Sequence, residues 1–102
     1  MKPRVGTTLS STTDDTTVVV VRWGAADLDL TCGGAPMVVG RPAPEDRREP
    51  TAAAGEGTRL GKRYTDEGAG VELLCTKPGT GDLVLDGAVL RIKDAKPLPA
   101  SD

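Results

Sequence analysis

Two cysteines, Cys32 in "LDLTCGGAPMVV" and Cys75 in "VELLCTKPG", are the side chains of this sequence best suited to chemistry, and no histidine accompanies them. A thiol can serve as a nucleophile, as a redox partner or as a soft metal ligand. A nucleophile needs a base and an oxyanion site. Without histidine the base falls to Lys, Asp or Glu, and the "GTG" and "GAG" segments read as hairpin glycines, since no helix follows to present its N-terminal amides. The sequence therefore predicts no enzyme. Structural zinc and rubredoxin-type iron want four thiolate or imidazole ligands. One chain supplies only Cys32 and Cys75, so an iron or zinc site would need carboxylates or water beside them, or both thiols from each copy of a homodimer. The third reading is packing. Cys32 follows Leu28 and Leu30 on one alternating face, and Cys75 follows Val71 and Leu73, which points both thiols inward as small hydrophobes. Asp27 and Asp29 take the opposite face, where they are solvated or form a cation-binding or acid pair.

"TCGGAPM", residues 31–37, resembles the second cysteine knuckle of desulforedoxin-like domains, in which a strand leads into Cys-Cys-Gly-x-x-Met and binds a tetrahedral iron. Gly33 stands where that pattern has its second cysteine, and "TTVVVVRW" carries no upstream Cys-x-x-Cys. "VELLCTKPG" is loosely similar to the first knuckle and again supplies one cysteine, Cys75. The resemblance covers about a dozen residues and implies a small β fold with a knuckle-like turn; it does not carry the metal with it.

These residues sit in a chain of 102 residues, long enough for one domain. Phe, His, Asn and Gln are absent, and Trp23 and Tyr64 are the only aromatics, so the core must be built from Val, Leu, Ala, Met and one Ile. A small core of small side chains gains from a staple: a disulfide, a metal, self-association or a partner. The net charge of −2, with short basic stretches at Arg47-Arg48 and Lys62-Arg63, lacks the basic face and stacking aromatics of a nucleic-acid binder. "TTVVVVRW" is too short to span a bilayer. The N-terminal stretch has no apolar signal segment, which predicts a cytoplasmic protein whose thiols stay reduced.

Local patterning predicts an all-β fold, a single-domain sandwich or open barrel of about six short strands. Residues 1–17 read as a flexible Ser/Thr-rich leader whose end can pair with a sheet, and 18–92 as the β domain. The β-branched run Val18 to Trp23 is the first confident strand. Leu28 to Thr31 and Met37 to Val39 follow, then a Pro-rich loop at 40–57 with at most a short helix. Arg59 to Tyr64, Val71 to Cys75, Leu83 to Leu85 and Ala88 to Ile92 complete the strands, with "DG" at 86–87 a strong hairpin turn. Residues 93–102 read as an extended or disordered tail. Segments 18–39 and 71–92 align without gaps at an offset of 53, matching Val20 with Leu73, Leu30 with Leu83, Gly34 with Gly87 and Met37 with Leu90. Either two three-stranded units were duplicated or two β-meanders share a common grammar.

By elimination, the sequence predicts an accessory or interaction domain that binds or stabilises a larger protein. Trp23 is the expected anchor if it points outward, and Pro97, Leu98 and Pro99 in "AKPLPASD" can lie extended in a partner's groove. The alternative is the small metal or redox protein using Cys32 and Cys75.

Overall fold

A computed structural model describes residues 1–51 and 55–93. The fold is all-β: among the described residues ten short strands form two antiparallel sheets that do not close into a barrel, with one 3-10 turn at Pro44–Asp46. The strands are β1 (Thr8–Ser10), β2 (Thr17–Arg22), β3 (Leu30–Cys32), β4 (Ala35–Pro36), β5 (Val38–Val39), β6 (Arg63–Asp66), β7 (Val71–Lys77), β8 (Leu83–Leu85), β9 (Ala88–Val89) and β10 (Arg91–Ile92). The larger sheet runs β10-β6-β7-β2-β1-β5, and the smaller β4-β3-β8-β9.

Ten strands arise where about six were read, for two reasons. The leader is not a loose end. Its β1 pairs with both β2 and β5, and Leu9 is completely buried. In addition, Ala35–Pro36, which read as part of a corner, is a strand of its own, and the stretch 88–92, which read as one strand, divides between the sheets. Ala35–Pro36 pairs with β3 in the smaller sheet, whereas Val38–Val39 pairs with β1 in the larger. Met37, at the crossing, is buried, and its amide donates to Leu30 O at 3.1 Å. Leu90 does the same between β9 and β10, donating to Leu83 O at 2.9 Å. A strand that changes sheet at a buried residue makes a corner of the sandwich.

The two divided stretches belong to a larger equivalence. Read from either end, both strand orders place β1 to β5 and β6 to β10 in matching positions. The halves are thus related by an approximate two-fold axis, with five strands in each. The offset of 53 describes β3–β5 against β8–β10 but fails for the strands before them. Gly6 N donates to Val20 O and Val20 N to Thr7 O; Gly61 N donates to Cys75 O and Cys75 N to Lys62 O. Val20 therefore corresponds to Cys75 and not to Leu73. The register shifts because the β2–β3 connection, residues 23–29, is longer than its counterpart at 78–82. With that correction "RVGTTLS" (4–10) falls on "RLGKRYT" (59–65). In both, the amide after glycine donates back to the arginine carbonyl, at 3.0 Å to Arg4 and 3.2 Å to Arg59. Gly6 and Gly61 take φ of +89° and +78°, the left-handed corner that glycine occupies without penalty.

The axis can be located by residue. Val19 lies opposite Leu74 in the β2–β7 ladder, and Thr31 opposite Val84 in the β3–β8 ladder. Each is paired with its own counterpart, as only strands meeting on a dyad can be. The core gathers around it: Leu9 with Tyr64, Val18 with Leu73, Leu30 with Leu83 and Met37 with Leu90 are equivalent pairs, all buried. Of the expected loop at 40–57, the described part contains only the 3-10 turn, where Asp46 Oδ2 accepts the Ala43 amide at 3.1 Å.

Leu30 and Leu83 both flank the axis and are nearly inaccessible, so truncating either opens a cavity that short, sheet-bound neighbours cannot close. Leu30→Ala and Leu83→Ala are each expected to lower unfolding free energy by about 2–5 kcal/mol in urea titrations.

Candidate functional site

Cys32 lies in β3 of the smaller sheet and Cys75 in β7 of the larger; both are free thiols and both are buried. Their places in the two halves say why they are there. Cys32 stands where the second half has Leu85, and Cys75 where the first has Val20, all four inside the sandwich. Burial pushes both thiols up, and the Asp14 carboxylate adds to the shift at each. A thiol held neutral is a poor nucleophile and a poor ligand. Among the described residues no three Cys, Asp or Glu side chains are grouped to hold a metal ion. At the knuckle-like turn, Gly33 and Gly34 take φ of +65° and +89°, and Asp86 and Gly87 repeat that turn with +51° and +89°. A side chain at Gly33, where the resemblance has a cysteine, would run into Thr13.

The leader supplies a polar knot that sequence reasoning missed. Ser11 Oγ accepts the amides of Thr13 and Asp14, and Thr13 Oγ1 donates to Cys32 O at 3.2 Å. Asp14 accepts the Thr16 amide at 2.9 Å and, from the other half, the Gly81 amide at 2.8 Å. The Thr16 and Thr58 hydroxyls, both buried, meet at 3.0 Å. Partial burial raises the Asp14 pKa, but the Gly81 and Thr16 hydrogen bonds outweigh it, and the net shift is downward. The signal was the run of Ser, Thr and Asp, types that bond neighbouring backbone in turns. Asp27 takes the α-ammonium of Met1, and Asp29 is exposed.

The most distinctive surface is a groove on the second half, lined by the Gly61–Arg63 segment, the β6–β7 turn, β9 and β10. Lys62, Arg63, Arg91 and Lys93 converge on it from segments well separated in sequence. Arg63 and Lys93 share the Glu72 carboxylate, at 3.2 and 2.8 Å. The Lys93 hydrogen bond, opposed by desolvation and aided by both cations, keeps that carboxylate below its ordinary pKa. For Lys62 and Arg91 no carboxylate among the described residues lies within ion-pair distance. In the first half the same positions hold Thr7, Thr8, Val38 and Gly40. These four positions thus carry cations in one half and none in the other; the corresponding surface of the first half has Arg41 and Arg47 instead, from the segment after β5, beside Asp14 and Asp15.

Trp23 is half-buried, packs against the core rim and donates its Nε1 to Ala26 O at 3.0 Å. It does not line the groove. Pro97, Leu98 and Pro99 lie outside the described residues.

Two measurements test these assignments. Cys75→Val installs the residue of the equivalent position and is expected to change stability by less than about 1.5 kcal/mol in denaturant titrations; loss of folding would mean the thiol itself is required. Asp14, with its folded pKa lowered, contributes stability that is complete above the unfolded aspartate pKa and is lost as pH falls through the folded one. Asp14→Asn is expected to lower the melting temperature near neutral pH and to flatten its decline on acidification. Comparison of the chain with protein-family models, with curated proteins and with solved structures gives no match to any of them.

Proposed function

We propose that this protein is a non-catalytic interaction module that binds a larger protein. The observation that carries this reading is the contrast between its inside and its outside. Both thiols and Tyr64 are buried, whereas Val5, Val39, Leu60 and Val89 are 61–68 % exposed. Val5 and Leu60 occupy the equivalent turn tips of the two halves, so the fold presents an aliphatic side chain outward at both. Single exposed aliphatics are common on protein surfaces; a module of this size that places several at its turns and sheet edges has binding surface ready for a partner. Trp23, half-buried at the core rim, adds to this surface.

The test is in-cell cross-linking of the tagged full chain in cells that express it natively. The cross-linked protein is identified by mass spectrometry and the complex rebuilt from purified components in light-scattering chromatography. A defined complex is expected, and Leu60→Asp or Val89→Asp should abolish it while leaving the circular dichroism unchanged. A chain that cross-links to nothing and elutes alone, or a complex indifferent to every exposed substitution, would remove the reading.

A further inference from the structure

We infer that the basic groove of the second half binds an acidic, extended segment of a partner protein, which adds as a strand to the outer edge of β10, where no strand among the described residues pairs. This rests on the module reading above and gives it a face and a chemistry.

The two-fold equivalence of the halves separates what the fold needs from what it does not. The first half makes the same strands and the same backbone hydrogen bonds with Thr7, Thr8, Val38 and Gly40 where the second has Lys62, Arg63, Arg91 and Lys93. The cations are therefore not required by the backbone. Nor does protection of a sheet edge account for them. Charges on an edge strand discourage unwanted pairing, yet β5, the equivalent edge, is Val38–Val39 with no charge at all.

The edge itself offers a strand-binding register. Lys93 N donates to Arg63 O at 2.8 Å, so Lys93 faces its β6 neighbour. By the alternation of an antiparallel ladder, the N–H and C=O of Ile92 point the other way, out of the sheet. An incoming strand would exchange both hydrogen bonds with Ile92. Arg91 and Lys93 lie on one face of β10, with Lys62 at the end of β6, and they call for carboxylates on alternate residues. Ile92 and the exposed Val89 call for β-branched or other apolar residues between them. Asp66 and Glu67 at the rim leave the groove short of negative charge against its four cations, and Glu72 is already taken by two of these. Nucleic acid fits less well, because no aromatic lines the groove to stack a base.

The probe is a short acetylated peptide of alternating Glu and Thr residues, titrated into the isotope-labelled full chain and followed by amide NMR shifts. Saturable shifts confined to 61–63 and 88–93, with slowed exchange of the Ile92 amide, are expected. The matching Lys-Thr peptide should leave the spectrum unchanged. Lys62→Gln with Arg91→Gln should weaken binding at least about tenfold without altering the melting temperature, since the equivalent positions are already neutral. The inference is overturned if the acidic peptide produces no shifts, if the shifts lie elsewhere, or if the double variant binds unchanged. Equal or tighter binding of a short oligothymidylate would replace the peptide with a nucleic acid. A silent titration alongside a partner cross-linked near Val5 or Val39 would sink this face alone and leave the module standing; no partner at all would sink both.

Discussion

The structure depends on antiparallel pairing across the two-fold axis, β2 with β7 and β3 with β8. Neither half has a core of its own. Each brings three strands to the larger sheet and two to the smaller, and two-stranded ribbons are marginal in water. Joined at the axis, the halves form sheets of six and four strands with Leu30, Leu83, Leu73 and Val18 between them. A composition with one Trp, one Tyr and no Phe thus reaches a packed interior through doubling and not through large side chains. The staple that so small a core invites is, within this chain, its other half.

The hydroxyl knot is the second device. Ser11, Thr13, Asp14 and Thr16 bond one another and reach Cys32, Thr58 and Gly81. Two of these bonds, Thr16 to Thr58 and the Gly81 amide to Asp14, run from the first half to the second or to the segment entering it, so the leader ties the halves together. Thr12 Oγ1 is left as a buried hydroxyl without a partner. Its own backbone carbonyl is paired, taking the Arg48 amide at 2.9 Å.

Much of the β grammar was legible in the sequence. Alternation placed Leu30, Cys32, Leu73 and Cys75 inside, and the glycines at 34 and 87 marked real hairpins. The two-fold relation was half legible. A constant offset matched Leu30 with Leu83 but could not follow a register change inside a loop, so the shared Arg-x-Gly turns went unread. That the end of the leader can pair with a sheet was legible from its Thr and Val; the order of the rest was not, because apolar content was the measure, while its burial is satisfied by hydroxyls and backbone. Sheet switching at Met37 and Leu90 leaves no local mark, since an apolar residue between two apolar strands looks like their continuation. The basic groove was invisible for another reason: Lys62 and Arg63 lie far along the chain from Arg91 and Lys93, and only the β6–β10 ladder makes them neighbours.

The dyad also divides the sequence into positions with different evolutionary freedom. At Val19 and Leu74, and at Thr31 and Val84, a residue faces its own counterpart, so a change in one is felt at once by the other. Away from the axis the twin sites are far apart, and the side chain at one can differ from that at the other without disturbing the backbone they share. Such a chain carries its own internal control: each half shows what the fold tolerates at the matching position of the other.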